Sequence, residues 1–439
     1  MTRFLLYLKY PLATLIISGL LLRLVFIFVA YSWDVNSHIT WGKEVIERGV
    51  HGFYERPTID HFNTIYPNYP PFSVYIFVVC YELYVLCKFL LWQLNILLPI
   101  FPSAIVTWFD SREVIAGFMK IPSIAADIGI SLLLYKMVLK YKNSHIDGLY
   151  AVIFYLFNPF VWYTSALWGQ IESISIFFVL WSYYVLLYGE KKYMPFIFFT
   201  FALLFKQTSF VFLPILTIAY LKKYSVQDLL VSIALCLIVF FLSFIPFYIQ
   251  GNILLYPFIT YFTRILTASG IPFASNHAFN FWALITQWKD IPDSTKGWGL
   301  SYRYWGYMIS IFLLSSIFWK YIKRTISSKS LYFTSLATAF TIFLFFTRMH
   351  ERHIQQALIF FIPFAVVDKR MRILYFIISF IHLVNLYHNW SVFRWEALLA
   401  IVLSPIMVNA LIVSLMTLYG YIMFLYMRRD GWLQKKDTV

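Results

Sequence analysis

An all-α, polytopic integral membrane protein is the fold class this sequence predicts, and three observations predict it. Of its 439 residues, 61% are hydrophobic and 13% charged, against about 25% charged in ordinary soluble domains. Apolar stretches of roughly 20 residues, enough to cross a hydrocarbon core, recur from Pro11 to Leu425. Lysines and arginines concentrate in alternate loops, as insertion topology demands. No soluble domain of any size fits between the spans, so residues 1–439 read as one membrane-embedded domain.

The charge justifies the elements in order. A net charge of +15 would raise nucleic acid as a partner of a soluble protein; here the loops account for it. Arg3 and Lys9, Lys136 to Lys142, Lys191-Lys192, Lys222-Lys223, Lys320 to Lys329, Lys369 to Arg372 and Arg428 to Lys436 all fall on the side expected to be cytoplasmic. They carry nearly the whole excess, which reads as a positive inner face with no nucleic-acid footprint. Spans follow near 11–32, 117–138, 148–165, 170–188, 226–248, 301–321, 331–347, 354–368, 372–390 and 397–427.

Two stretches need a parity argument. Residues 193–221 are apolar but have inner-type lysines at both ends, so two short helices are expected to meet outside at Lys206-Gln207. Residues 72–109 must hold an even number of crossings. A hairpin turning near Lys88 is preferred to an element lying in the membrane plane, for about 14 crossings within a range of 12–14. The first outer loop is then 33–71 and the second large one 249–302. The first span reads as an uncleaved anchor. Cys80, Cys87 and Cys236 show no paired spacing, so packing is expected of them, with no metal or cofactor.

Ionisable groups beside membrane segments are costly and therefore informative. Five polar clusters fall on the outer side. In Trp33 to Trp41, a helix would place Asp34, His38 and Trp41 on one face, although Asp34 could also serve only as a helix cap. Asn68-Tyr69-Pro70-Pro71 closes the same loop with a stiff, extended segment. Trp168-Gly169-Gln170-Ile171-Glu172 offers Gln170 and Glu172 either to sugar hydroxyls or merely to the solvation of the turn. Lys206-Gln207 marks the meeting point of the short helices, tolerated only where protein or a wet cavity surrounds it. The densest cluster is His350-Glu351-Arg352-His353, whose arginine fork with imidazole beside it suits a phosphate, the alternative being a structural salt-bridge knot. It lacks the H-E-x-x-H spacing of a zinc site.

A carboxylate and several cations on one membrane face supply what transfer from a lipid phosphate needs. The carboxylate takes a proton from an acceptor hydroxyl, and the cations stabilise charge on the departing phosphate. The order Asp34, Tyr69-Pro70-Pro71, Lys206-Gln207, His350-Glu351-Arg352 resembles the dolichyl-phosphate-glucose-dependent glucosyltransferases of the endoplasmic reticulum, members of the GT-C superfamily. The resemblance spans most of the chain and implies the GT-C fold with an inverting, metal-independent transfer. It implies Asp34 as catalytic base with His350 and Arg352 near the donor phosphate; Lys206, a lysine beside a helix break that calls for an anion, is read as a third phosphate-side group. His38, Trp41, Tyr69, Gln170, Glu172, Gln207, Glu351 and His353 are the remaining substrate-binding candidates. The expected partners are a polyprenyl-phosphate sugar donor, dolichyl or undecaprenyl, a glycan or lipid-linked acceptor and the bilayer itself. Asn68 stands where the family has an acidic residue, and Trp168 to Glu172 replaces its H-F-x-Y-N stretch. These departures point to a prokaryotic relative on the outer face of a cell membrane rather than an endoplasmic-reticulum enzyme.

Three rival functions remain in view. A protein O-mannosyltransferase, also GT-C, would show paired acids in the first outer loop, where Asp34 has no acidic neighbour until Glu44. A lipid-linked glycan flippase or transporter would carry polar groups deep in several spans, where this chain has mainly Arg23 and Asp127. An O-antigen-type polymerase would need arginine-rich outer loops, and 249–302 offers Arg264, Lys289 and Lys296.

Overall fold

A computed structural model of the chain describes residues 9–58, 66–267 and 271–428; Arg3 and the charges from Arg429 to Lys436 lie outside them. Helix makes up 76% of the structure, and among the described residues strand is confined to one two-stranded ladder, Lys296–Gly297 with Leu300–Ser301. The all-α expectation therefore holds. Among the described residues six helices are long and apolar enough to cross a membrane, and five shorter apolar helices accompany them. The protein is a multi-pass membrane protein.

The helices are α1 (Pro11–Phe26), α2 (Trp33–Arg48), α3 (Pro71–Leu97), α4 (Ser103–Phe109), α5 (Arg112–Lys142), α6 (His145–Leu156), α7 (Pro159–Trp162) and α8 (Glu172–Tyr188). They continue with α9 (Met194–Phe205), α10 (Leu213–Leu221), α11 (Val226–Phe244), α12 (Tyr256–Thr260) and α13 (Phe281–Thr286). The last six are α14 (Tyr302–Lys323), α15 (Ser328–Phe345), α16 (Gln355–Val367), α17 (Lys369–Asn389), α18 (Glu396–Val402) and α19 (Pro405–Met427). Pro11, Pro71 and Pro405 open α1, α3 and α19 at a position where the missing N–H costs nothing. The same Pro405 breaks the expected span 397–427 into α18 and α19.

The core lies between α5, α6, α8 and the pair α15–α16, which are buried almost all round, as central helices of a bundle must be. One ion pair pins it. Arg23 of α1 donates through Nε to Asp127 of α5 at 2.9 Å, both fully buried. Asp127 also accepts from Tyr155 (2.8 Å), Ser165 (2.6 Å) and Ser173 (2.6 Å). A buried charge persists only when it is paired and hydrogen-bonded, so these two within-span charges belong to the scaffold, as does the fully buried Lys120 of α5, whose Nζ donates to Ile27 O at 2.8 Å.

The helix ends sort by charge. Lys222 Nζ donates to the carbonyls of Tyr321 (2.5 Å) and Arg324 (2.6 Å), Lys223 Nζ to Leu186 O (2.7 Å), and Lys320 Nζ to Met427 O (2.5 Å). The lysines expected on one face therefore gather at one end of the bundle, on the C-terminal carbonyls of α8, α14 and α19, where helix dipoles favour cations.

The expected hairpin at Lys88 is absent. α3 runs unbroken from Pro71 to Leu97, because nothing between those residues is a glycine or a proline. Its start is tied to Phe205 O through Ser73 Oγ (2.5 Å). Its second half packs on the end of α4, just before α5 begins: Tyr84 stacks on Phe109 with centroids 5.6 Å apart, and Lys88 pairs with Asp110, the C-cap of α4, at 2.6 Å. Both halves thus stay at the end of the bundle opposite the basic one. Without the hairpin the reading falls from about 14 crossings to about 12.

Candidate functional site

The outer clusters converge at that opposite end. α2 begins at Trp33, with Ser32 as its N-cap and the Ser32 N–H donating to Trp168 O at 3.1 Å. Asp34 sits one residue into the helix, so it is not the cap. Its Oδ2 accepts a hydrogen bond from Gln170 Nε2 and lies 3.7 Å from Arg352 Nη1, with the carboxyl side chain 40% exposed. The close approach depends on Gly169, which ends a π-helical segment (Tyr163–Trp168) at φ +84°. A Cβ there would lie 2.4 Å from Val35 Cγ2 of α2. Gln170 is held from behind by Ser123 Oγ on its carbonyl (2.7 Å) and by its own N–H on Thr164 O (3.0 Å).

Lys206 lies where the sequence places a helix break. α9 ends at Phe205, Lys206 is extended, and a 3-10 turn (Gln207–Phe212) leads into α10. Ser73 takes the Phe205 carbonyl, and Ser175 Oγ bonds Ala202 O (2.9 Å) and Ser209 Oγ (2.5 Å). The freed backbone groups are thereby satisfied inside the protein, the condition for irregular chain at membrane depth. The buried ammonium reaches Glu172 Oε1 at 2.6 Å and Tyr69 OH at 3.3 Å. The anion it meets is therefore the chain's own Glu172, which the sequence had offered to sugar hydroxyls.

Arg352 links the rest. It occupies a 3-10 turn (Glu351–Ile354) before α16 and donates Nε to Glu172 Oε1 at 3.0 Å and Nη1 to Glu351 Oε1 at 3.2 Å. One guanidinium thus faces three carboxylates, of which Glu172 and Glu351 are buried and Asp34 is not. Burial opposes the Arg352 charge, but Asp34, Glu172 and Glu351 outweigh it and hold the group firmly protonated. Burial pushes the Glu351 carboxyl up to about 7, with Arg352 pulling the other way. Burial lowers His353 to about 3, reinforced by Arg352, and lowers His350 well below its ordinary value for the same reasons. Both imidazoles are neutral, and His353 Nδ1 accepts from the His350 N–H at 3.2 Å.

The turn carrying Arg352 is built from the second outer loop. The Arg348 N–H donates to Phe273 O (3.1 Å) and the Asn276 N–H to Met349 O (3.0 Å). Asp293, fully buried, accepts from Arg348 Nε at 2.8 Å and from Arg303 Nη2 at 2.6 Å and Nε at 2.9 Å. This clamp holds Arg348 at φ +62°. Nothing in the sequence singled out Asp293; an acid between arginines distant in sequence becomes visible only in three dimensions.

Asp34, Tyr69, Gln170, Glu172, Lys206, Glu351 and Arg352 therefore form one connected cluster, with His350 and His353 flanking it. Three expected residues stand differently. His38 and Trp41 are buried and pack beneath it, His38 stacked on Phe77 at 4.3 Å and Trp41 against Tyr69 at 5.2 Å. Burial brings the His38 imidazole down to about 3, so it is neutral. Gln207 turns to the other side, donating to Ile265 O at 3.5 Å. Among the described residues, Gln170 Oε1, Glu172 Oε2, Glu351 Oε2 and both amide ends of Gln355 are buried without a hydrogen-bond partner. Beside the break, α9, α10, α11 and the segment 258–266 form an open apolar groove of about 600 Å³ bordered by Phe199, Leu203, Phe210, Phe240 and Tyr261. Among the described residues no group of three or more His, Cys, Asp or Glu side chains is placed to hold a metal ion. No protein-family model matches the chain, and no curated protein matches it significantly.

Proposed function

We propose that the protein is an inverting glycosyltransferase of the GT-C kind, moving a monosaccharide from a polyprenyl phosphate to an acceptor hydroxyl at the outer face of a cell membrane. The observation that carries this reading is the half-exposed Asp34 carboxylate facing Arg352 at the non-basic end of the membrane helices. Asp34 takes the proton of the acceptor hydroxyl. The acceptor oxygen bonds to the anomeric carbon from the face opposite the phosphate. The carbon–oxygen bond to the phosphate breaks, and its electron pair leaves on the polyprenyl phosphate. Arg352, with a neutral imidazole N–H from His350, stabilises that charge. Lys206, spent on Glu172, stiffens the anionic partner of Arg352 rather than meeting the donor in the free state. The open apolar groove between α9, α10 and α11 suits the polyprenyl chain, whose head must lie at the interface and whose tail must lie in the bilayer.

Transport is less well supported, because Arg23 and Asp127 satisfy each other in a sealed core. The test is the purified protein in nanodiscs with a panel of radiolabelled polyprenyl-phosphate monosaccharides. Transfer or hydrolysis of one donor supports the reading. No turnover of any donor, together with tight binding of a polyprenyl-diphosphate glycan, would replace it with the flippase or polymerase reading.

A further inference from the structure

We infer that Asp34 and the donor phosphate compete for the Arg352 guanidinium, so that binding of the donor itself releases the base. The inference rests on the transferase reading and adds an order of events to it. Arg352 meets Glu172 at 3.0 Å and Glu351 at 3.2 Å, and those carboxyl side chains are 1% and 0% exposed. Asp34 is its third and longest contact, at 3.7 Å, and the only exposed one of the three. An anion arriving from the membrane surface therefore reaches the guanidinium from the side Asp34 occupies. It displaces the weakest-held partner, because the two buried carboxylates would be left uncompensated and Asp34 would not.

The contact geometry favours exchange. Arg352 Nη1 is shared between Glu351 Oε1 and Asp34 Oδ2, so Asp34 has no fork of its own. A phosphate that engages the guanidinium through two parallel N–H groups binds it better than a carboxylate at 3.7 Å from one nitrogen. Displacement does not set Asp34 adrift, since the Gln170 amide donates to its Oδ2 and Gln170 is itself held by Ser123 and Thr164. Asp34 stays oriented but loses its counter-ion when an acceptor proton must be taken. Without donor the base is neutralised, which suppresses idle proton transfer; with donor it is freed. The acceptor is therefore productive only after the donor has bound, and Gln170 is a positioning residue for the base.

The test uses undecaprenyl phosphate as probe, titrated into the full chain in phosphatidylcholine nanodiscs. Removing the competitor must tighten binding: Asp34→Asn, and Asp34→Ala as a second variant, are expected to bind the probe about 2–5-fold more tightly than wild type, the range of an exposed ion pair. Arg352→Gln is expected to lose the binding. Glu47→Gln, an exposed carboxylate on the same helix, is expected to leave it unchanged. Weaker or equal binding by both Asp34 variants would overturn the inference, as would equal tightening by Glu47→Gln, which would reveal a general field instead. Steady-state kinetics give an independent arm. Polyprenyl phosphate inhibiting competitively against donor and noncompetitively against acceptor supports donor binding to the acceptor-free enzyme, and uncompetitive inhibition against acceptor, the pattern of acceptor-first binding, overturns the inference. Absence of any turnover would sink the transferase reading while leaving the binding result standing, so the two failures are distinguishable.

Discussion

Asp127 and Asp34 show at the level of single residues what separates a structural charge from a chemical one. Asp127 is fully buried and engaged by Arg23 and three hydroxyls. Truncating it to Ala strands Arg23 in the core, and a loss of about 3–5 kcal/mol is expected, read as a drop in thermal stability in detergent. The pair replacement Arg23→Leu with Asp127→Ala is expected to recover much of it; no recovery would mean the hydroxyls carry the energy. Asp34 is 40% exposed and shares its cation with two buried acids, so an incoming anion can take that cation from it without stranding a buried charge. Glu351 supplies the pH dependence. Its folded-state value of about 7 lies above the ordinary 4.5, so the folded chain holds that proton more tightly than the unfolded chain does. The stability this contributes is complete below about pH 4.5 and lost as pH rises through about 7. Relative to Glu351→Gln, which cannot ionise, the wild type is expected to lose melting temperature between about pH 5 and 8. A constant difference across that range would mean that Glu351 does not titrate there.

The elements show how much of this was legible. The break at Lys206-Gln207 could be read because lysines flank the apolar stretch 193–221 on both sides, and two short helices do meet there. The polar clusters could be read because ionisable residues are scarce in so apolar a chain. Their pairing could not: that Lys206 finds Glu172, or that Asp293 clamps Arg348, depends on helices distant in sequence. The role of α3 was misread because parity assumes that every long apolar run crosses, whereas its contacts with Phe109 and Asp110 keep it at one end. A cysteine at Lys88 is accordingly expected to react with a membrane-impermeant maleimide from the same side as one at Asn252; reaction from opposite sides would restore the hairpin. Gly169 tests the turn that presents Gln170. With φ at +84° and Val35 in the way, Gly169→Val is expected to cost about 1–3 kcal/mol of backbone strain and to impair turnover more than Gly251→Val, whose Cβ meets nothing within 4 Å. Equal effects would remove the turn from the account.

For the whole molecule, the bundle is polarised: lysines on helix C-termini at one end, a carboxylate–arginine cluster at the other. The loop charges predicted that polarity, and the helix ends bear it out. A cysteine at Lys191 is expected to be protected from an external maleimide that labels one at Asn252, and labelling of both would place the two ends on one face. The central claim, that this polarised bundle presents a catalytic base, is tested most directly by single-turnover transfer from the active donor with Asp34→Asn beside wild type, insertion and thermal stability being matched. A fall of about 10²–10⁴-fold is predicted, the range contributed by a positioned general base; a rate within about twofold of wild type would contradict it.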